Sequence, residues 1–191
     1  MMCIRVFCLL SVFLYGIHVQ ASPGFRQITL SDPTRDNINV AVWYPTASEG
    51  KAVDVGSNPA FVGVTVIPDA PPLPGVHPLL VISHGYHGNW RNLSWIATAM
   101  AAEGYIVAAP DHPGTTTFDQ NPREAKKLWR RPHDISRVID FVIASPTLFG
   151  ATDKGRIAAL GHSLGGWTVM SLAGARFQPS LFIRNCQNHS R

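Results

Sequence analysis

Gly161-His162-Ser163-Leu164-Gly165 is a G-x-S-x-G pentapeptide, and its spacing has a chemical reason. A serine held on a tight strand-to-helix turn presents its hydroxyl outward, and the flanking glycines are required because a side chain at either place would collide with neighbouring backbone. The pentapeptide follows Arg156-Ile157-Ala158-Ala159-Leu160 and runs through Gly165-Gly166 into a helix-forming stretch. That setting separates Ser163, as a candidate nucleophile, from a bystander serine in a glycine-rich turn. A second segment, His84-Gly85-Tyr86-His87-Gly88, follows the apolar run Leu79 to Ser83. An anionic tetrahedral intermediate needs two fixed N–H donors, one from the residue after the nucleophile and one from the loop after an earlier strand. Leu164 and Tyr86 are the candidates for those backbone donors of an oxyanion hole. His84 and His87 are assigned to ordering the loop or facing solvent, and His162 to packing beside the nucleophile.

The surrounding pattern supplies the elements that must carry these residues. Phe25 to Leu30 and Asn37 to Tyr44 read as strands, the second with Ile38, Val40, Val42 and Tyr44 on one face, around the turn signal Asp32-Pro33. Ala60 to Ile67 is a third candidate, and the proline-rich stretch Pro68 to Pro78 reads as a loop. From there the pattern alternates. Leu79 to Ser83, Tyr105 to Ala109 and Ile157 to Leu160 are short apolar runs, expected of strands buried in a parallel sheet. Between them, Leu93, Ile96, Ala97, Met100 and Ala101 fall at helical spacing before Gly104, and so do Ile135, Val138, Ile139, Val142 and Ile143 between Pro132 and Pro146. Thr168 to Ala175 reads as another helix. Repeated strand–helix units mean an α/β architecture with helices on the faces of a parallel sheet. The basic run Arg123 to Arg131 is read as a solvated surface helix without a function.

Met1 to Ala21 has one basic residue, Arg5, an apolar run from Val6 to Tyr15, and small residues ahead of Ser22-Pro23-Gly24. This is the pattern of a secretory signal peptide, with cleavage expected after Ala21 and a secreted or periplasmic destination. The run is too short for a retained anchor. Cleavage would leave Cys186 as the one thiol, either spare or paired with a partner outside the chain. With 191 residues, 46% hydrophobic and 15% charged, the composition is that of one globular domain and excludes a disordered or cysteine-stapled chain. The net charge of +4 is small and scattered, which argues against a nucleic-acid partner.

Several motifs in one order carry a family resemblance: Trp43-Tyr44-Pro45-Thr46, the His84-Gly85-Tyr86 loop, Ala109-Pro110-Asp111-His112-Pro113-Gly114, Arg131-Pro132-His133-Asp134-Ile135 and the elbow. From Phe25 to Arg191 the chain resembles exported α/β-hydrolases of the dienelactone hydrolase-like group, close to the platelet-activating factor acetylhydrolases. The resemblance implies the α/β-hydrolase fold, a mostly parallel sheet with helices on both faces. It also implies esterase- or lipase-like serine hydrolysis of small-molecule or lipid-like carboxylic esters, with no cofactor, no metal and no stable membrane anchor. Dienelactone hydrolase itself uses cysteine where this chain has Ser163. Asp111 and His112 match a motif that looks structural in that family.

In this fold the triad follows the order Ser, Asp or Glu, His. The 28 residues after Ser163 contain no Asp or Glu, and their one histidine is His189. The sequence therefore predicts a chain that stops early, as a fragment or by a premature stop, with 1–21 a signal peptide and 22–191 the N-terminal portion of a hydrolase domain lacking its C-terminal strands. The strand Ile157 to Leu160 would then be an open edge and a surface for association. The alternative is a truncated, non-catalytic remnant or binding module with a hydrolase-like fold.

Overall fold

In the computed structural model, which describes residues 22–189, the sheet begins with a hairpin. Strands β1 (Gly24–Asp32) and β2 (Arg35–Tyr44) pair antiparallel, and the Asp32 carboxylate accepts the Thr34 N–H at 2.9 Å to close the turn. The signal peptide assigned to Met1–Ala21 lies outside the described residues. Next come β3 (Val53–Val55), β4 (Val64–Pro68) and β5 (Val76–Ser83), then a 3₁₀ turn at Trp90–Leu93 that leads into helix α1 (Ser94–Ala102). β6 (Ile106–Asp111) is followed by α2 (Pro122–Ala125), α3 (Arg130–Ala144) and α4 (Pro146–Phe149). β7 (Ala151–Gly161), α5 (Leu164–Leu172) and α6 (Pro179–His189) complete the described chain.

The strands form one mixed sheet in the order β3-β4-β1-β2-β6-β5-β7. Its site-bearing half, β6-β5-β7, is parallel, with Ser83 at the end of β5 in register with Gly161 at the end of β7. Strand alternation sends side chains to two cores. On one face Ile38, Val40, Val42 and Tyr44 of β2 pack with Leu79, Val81, Ile106 and Ala108 under Ile135, Val138 and Val142 of α3. On the other, Leu80, Ile82, Val107 and Ala109 pack under Ala97 and Ala101 of α1, beside the ring cluster Phe25, Trp43 and Trp90. The Phe25 and Trp90 centroids are 5.6 Å apart, and those of Trp43 and Trp90 5.7 Å. Burying each such side chain stabilises the fold by about 1.5–3 kcal/mol, so Trp90 anchors the loop that leaves β5.

Four expectations need correction. The stretch Pro68 to Pro78 is not all loop, because β5 already begins at Val76; Pro78 is tolerated there because β5 and β7 shift register between His77 and Leu79. The third strand is shorter than Ala60 to Ile67, and the three-residue β3, with no run of apolar residues to mark it, pairs with it. The last elbow-side helix begins at Leu164, four residues before Thr168, since a helix can start directly after the strained serine. The strand Ile157 to Leu160 is partly exposed and not buried, because β7 pairs with β5 alone among the described residues and forms the sheet's edge.

Candidate active site

The elbow is a meeting of two backbones. Ser163 sits between β7 and α5 at φ 54° and ψ −119°, a left-handed conformation that costs a residue with a side chain about 1–3 kcal/mol. Its side chain is exposed and makes no hydrogen bond among the described residues. A Cβ on Gly165 would stand 1.9 Å from Ser83 O, and one on Gly161 would stand 2.1 Å from Gly165 O. The two glycines thus let the first turn of α5 pass directly over the ends of β5 and β7. His162 N–H donates to Ser83 O at 3.1 Å, tying the elbow to the strand that carries the other loop.

That loop reaches back to the serine. A Cβ on Gly85 would lie 3.3 Å from Ser163 Cβ, so the His84-Gly85-Tyr86 backbone runs alongside the elbow. The N–H groups of Tyr86 and Leu164 have no acceptor among the described residues. Leu164 is the first residue of α5, where an N–H has no intrahelical partner. Tyr86 is about half exposed, with its ring stacked on exposed His87 at 3.9 Å, and His87 itself has φ 58°. His87 N–H donates to Thr115 O and Gly88 N–H to Gly85 O, which fixes the loop's turn.

Behind the two loops lies a buried polar network that only partly matches the sequence reading. His84 is 1% exposed; its Nδ1–H donates to Gly85 O at 2.6 Å and its Nε2 accepts the His112 N–H at 3.0 Å. Burial pushes its pKa down to about 2, helped by nearby His112 and Arg131, so the imidazole is neutral. His112 Nδ1–H donates to Asp134 Oδ2 at 2.9 Å, and its Nε2 accepts the Ser83 hydroxyl at 2.9 Å. Ser83, His112 and Asp134 have the connectivity of a serine–histidine–aspartate triad, but Ser83 and His112 are fully buried and no substrate reaches them. Burial, then the Arg131 charge, holds His112 well below the usual histidine range, and burial raises Asp134 to about 6. The contact is a hydrogen bond to a neutral imidazole and not an ion pair.

Asp111 and His112 are structural, as their motif implied. The Asp111 carboxylate accepts Trp90 N–H at 2.8 Å and is raised to about 6 by burial. No upstream histidine among the described residues hydrogen-bonds Ser163. His84 orders its loop and His87 faces solvent, each one of the two roles expected. His162 is exposed to solvent, yet its ring lies against the neighbouring loop beside Ser163, with Nδ1 3.2 Å from where a Cβ on Gly85 would stand.

Arg131 is the larger correction. It belongs to the basic run read as a solvated helix, yet it is 3% exposed. The run is broken: α2 ends at Ala125, and α3 starts at Arg130. A signal was available, since Arg131 precedes Ile135, Val138 and Val142 at i, i+4, i+7 and i+11 on the helix's apolar stripe.

Residues 91–183 match the prolyl oligopeptidase family. Cutinase est1 of Thermobifida alba is 28% identical over 147 residues, 76% of this chain and 46% of that protein. Cutinase 1 of Thermobifida cellulosilytica is 34% identical over 98 residues, 51% of this chain and 34% of that one. The solved ferulic acid esterase from Streptomyces cinnamoneus superposes with a TM-score of 0.64 at 21% identity, over 80% of this chain and 54% of that one. The chain has the α/β-hydrolase fold. It spans less than half the length of the curated relatives it matches. Within this fold, the Ser163 turn and the His84-Gly85-Tyr86 loop occupy the C-terminal ends of adjacent parallel strands, where ligands bind in open α/β sheets. No helix among the described residues is long and apolar enough to cross a membrane.

Proposed function

We propose that the chain carries the nucleophile and the oxyanion hole of a serine hydrolase acting on carboxylic esters. The observation that carries this reading is the strained, exposed Ser163 at the strand–helix junction, beside a loop whose Tyr86 N–H, like the Ser163 hydroxyl, has no partner among the described residues. Ser163 Oγ attacks the acyl carbon; the carbonyl π electrons move to oxygen, and the N–H groups of Tyr86 and Leu164 stabilise that oxyanion. Collapse expels the alcohol and leaves an acyl-serine, which water hydrolyses to acid and free serine. The serine proton passes to a histidine and from it to the departing alkoxide. None of the described histidines bonds the serine, and we assign that histidine and its orienting carboxylate to sequence beyond this chain. Fixed backbone donors suit the oxyanion, and removing one such donor typically costs about 3–4 kcal/mol of transition-state stabilisation.

The relatives named as cutinases and a ferulic acid esterase support an ester substrate of small-molecule or lipid-like kind. The ordered motifs support placement near the dienelactone hydrolase-like and platelet-activating factor acetylhydrolase-like enzymes, and the leader-like start supports export. Turnover of p-nitrophenyl acetate by the full-length gene product, abolished by Ser163→Ala, is the expected result. A folded gene product whose turnover survives Ser163→Ala would refute the assignment.

A second reading has its own observation. Because no base or acid reaches Ser163 among the described residues, residues 22–191 alone would be a non-catalytic remnant or binding module with this fold. Turnover by purified 22–191 that depends on Ser163 would refute it.

A further inference from the structure

We propose that Arg131 is the positioning residue of the oxyanion hole, clamping from behind the two backbone segments that carry its donors. The inference rests on the proposed hydrolase reading for its consequence in catalysis, but the clamp itself is built from contacts. Arg131 Nε–H donates to Thr168 Oγ1 at 3.0 Å, and the Thr168 hydroxyl in turn donates to Leu164 O at 3.0 Å. One nitrogen therefore reaches, through one hydroxyl, the residue of α5 whose N–H faces the site. The NH2 group donates to His84 O and, at 3.3 Å, to Ser83 Oγ. These contacts hold the chain where it leaves β5 and turns into Gly85-Tyr86. The NH1 group donates to Thr115 Oγ1 at 2.7 Å, and the Thr115 carbonyl accepts the His87 N–H at 2.9 Å. The planar fork thus ties the elbow helix to both sides of the Tyr86 turn.

The choice of residue is informative. All four acceptors are neutral oxygens, and Arg131 makes no salt bridge among the described residues. A buried guanidinium with no carboxylate in direct contact is costly to keep, and the nearby Asp134 charge offsets only part of that cost. Burial lowers its pKa only to about 10, so it stays charged. A cation held beneath two donor peptides also favours the negative charge that would form above them. Lysine would keep the charge but offers no rigid fork, so the geometry and the charge are separable.

The test compares wild type with Arg131→Lys, Thr168→Val and a control, Val142→Ala, which loosens the α3 core away from both loops. Hydrogen exchange is followed at His87, Gly88, Gly165 and Gly166, whose N–H groups are bonded in the two segments. In Arg131→Lys all four amides, and in Thr168→Val the elbow amides Gly165 and Gly166, should exchange about tenfold faster relative to the sheet, whereas Val142→Ala leaves that ratio unchanged. Thr168→Val retains the guanidinium, so it decides the matter if Arg131→Lys does not fold. In the full-length gene product, the maximal rate of Ser163 phosphonylation by a fluorophosphonate should fall about 100-fold in Arg131→Lys, with the half-saturating probe concentration unchanged. Gly165 and Gly166 amides that keep the wild-type ratio in folded Thr168→Val would overturn the clamp. An unlabelled wild-type serine would instead overturn the hydrolase reading, and the exchange result would still decide the clamp.

Discussion

Alanine at each of three elbow glycines should separate the close crossing from ordinary helix packing. On Gly165 the added methyl would meet Ser83 O at 1.9 Å, Ser83 C at 2.6 Å and His84 O at 2.9 Å; on Gly161 it would meet Gly165 O at 2.1 Å. On Gly166 the nearest atom is Gly161 O at 3.5 Å, an ordinary contact. Since packed atoms settle at roughly 3.5 Å, Gly165→Ala and Gly161→Ala must each open the crossing by about 1.5 Å. Every clashing atom is backbone, so no side chain can swing aside. The cost belongs at the upper end of overpacking, about 3 kcal/mol, which for a domain of this size lowers the melting temperature by about 6–12 °C. Gly166→Ala lies within α5 and instead gains up to about 1 kcal/mol from helix propensity. Thermal unfolding followed by circular dichroism measures all three. If Gly165→Ala and Gly166→Ala melt together, the elbow does not cross β5 at this distance and the reasoning fails.

Replacing Ser163 with glycine should raise stability by about 1 kcal/mol while removing any reaction at that position, because the left-handed strain disappears with the side chain; chemical denaturation beside probe labelling checks both effects. The buried titratable groups predict an unusual pH profile. His84 and His112 have folded pKa values depressed from 6.5, so their contribution is present above 6.5 and is lost as pH falls, whereas Asp111 and Asp134, raised from 3.8 to about 6, contribute below 3.8 and lose that as pH rises through 6. Each proton is worth about 1.4 kcal/mol per pH unit, so the two pairs nearly cancel between about pH 4 and 6 and stability drops below about pH 4. Asp134→Asn should tip that balance and lose stability already from pH 6 downward, and denaturant midpoints across this range would expose a wrong sign. Purified 22–191 should self-associate through the open β7 edge, and Ile157→Lys should reduce this in sedimentation velocity; equal association by both would exclude the edge as the contact.

What the sequence disclosed follows from where its physics is local. The elbow was legible because glycine spacing, a preceding apolar strand and a following helix coincide within about a dozen residues. Alternation made the inner face of β2 legible down to Ile38, Val40, Val42 and Tyr44. The buried network was not legible, because its members, Ser83, His112, Arg131, Asp134 and Thr168, come from three elements and the loop after β6 and meet only when the sheet is assembled. Arg131 misled in a specific way: its neighbours in sequence are basic and solvated, while its neighbours in space are neutral oxygens beneath the site. The start of β5 at Val76 was hidden by prolines that rule out a regular ladder but not an irregular one.

We propose Ser163 as the nucleophile. Treating the folded full-length gene product with a fluorophosphonate and mapping the adduct by peptide mass spectrometry tests it most directly. One adduct is expected, on Ser163, absent from Ser163→Ala; a folded protein that stays unlabelled, or that is labelled at another serine, would overturn this role for Ser163.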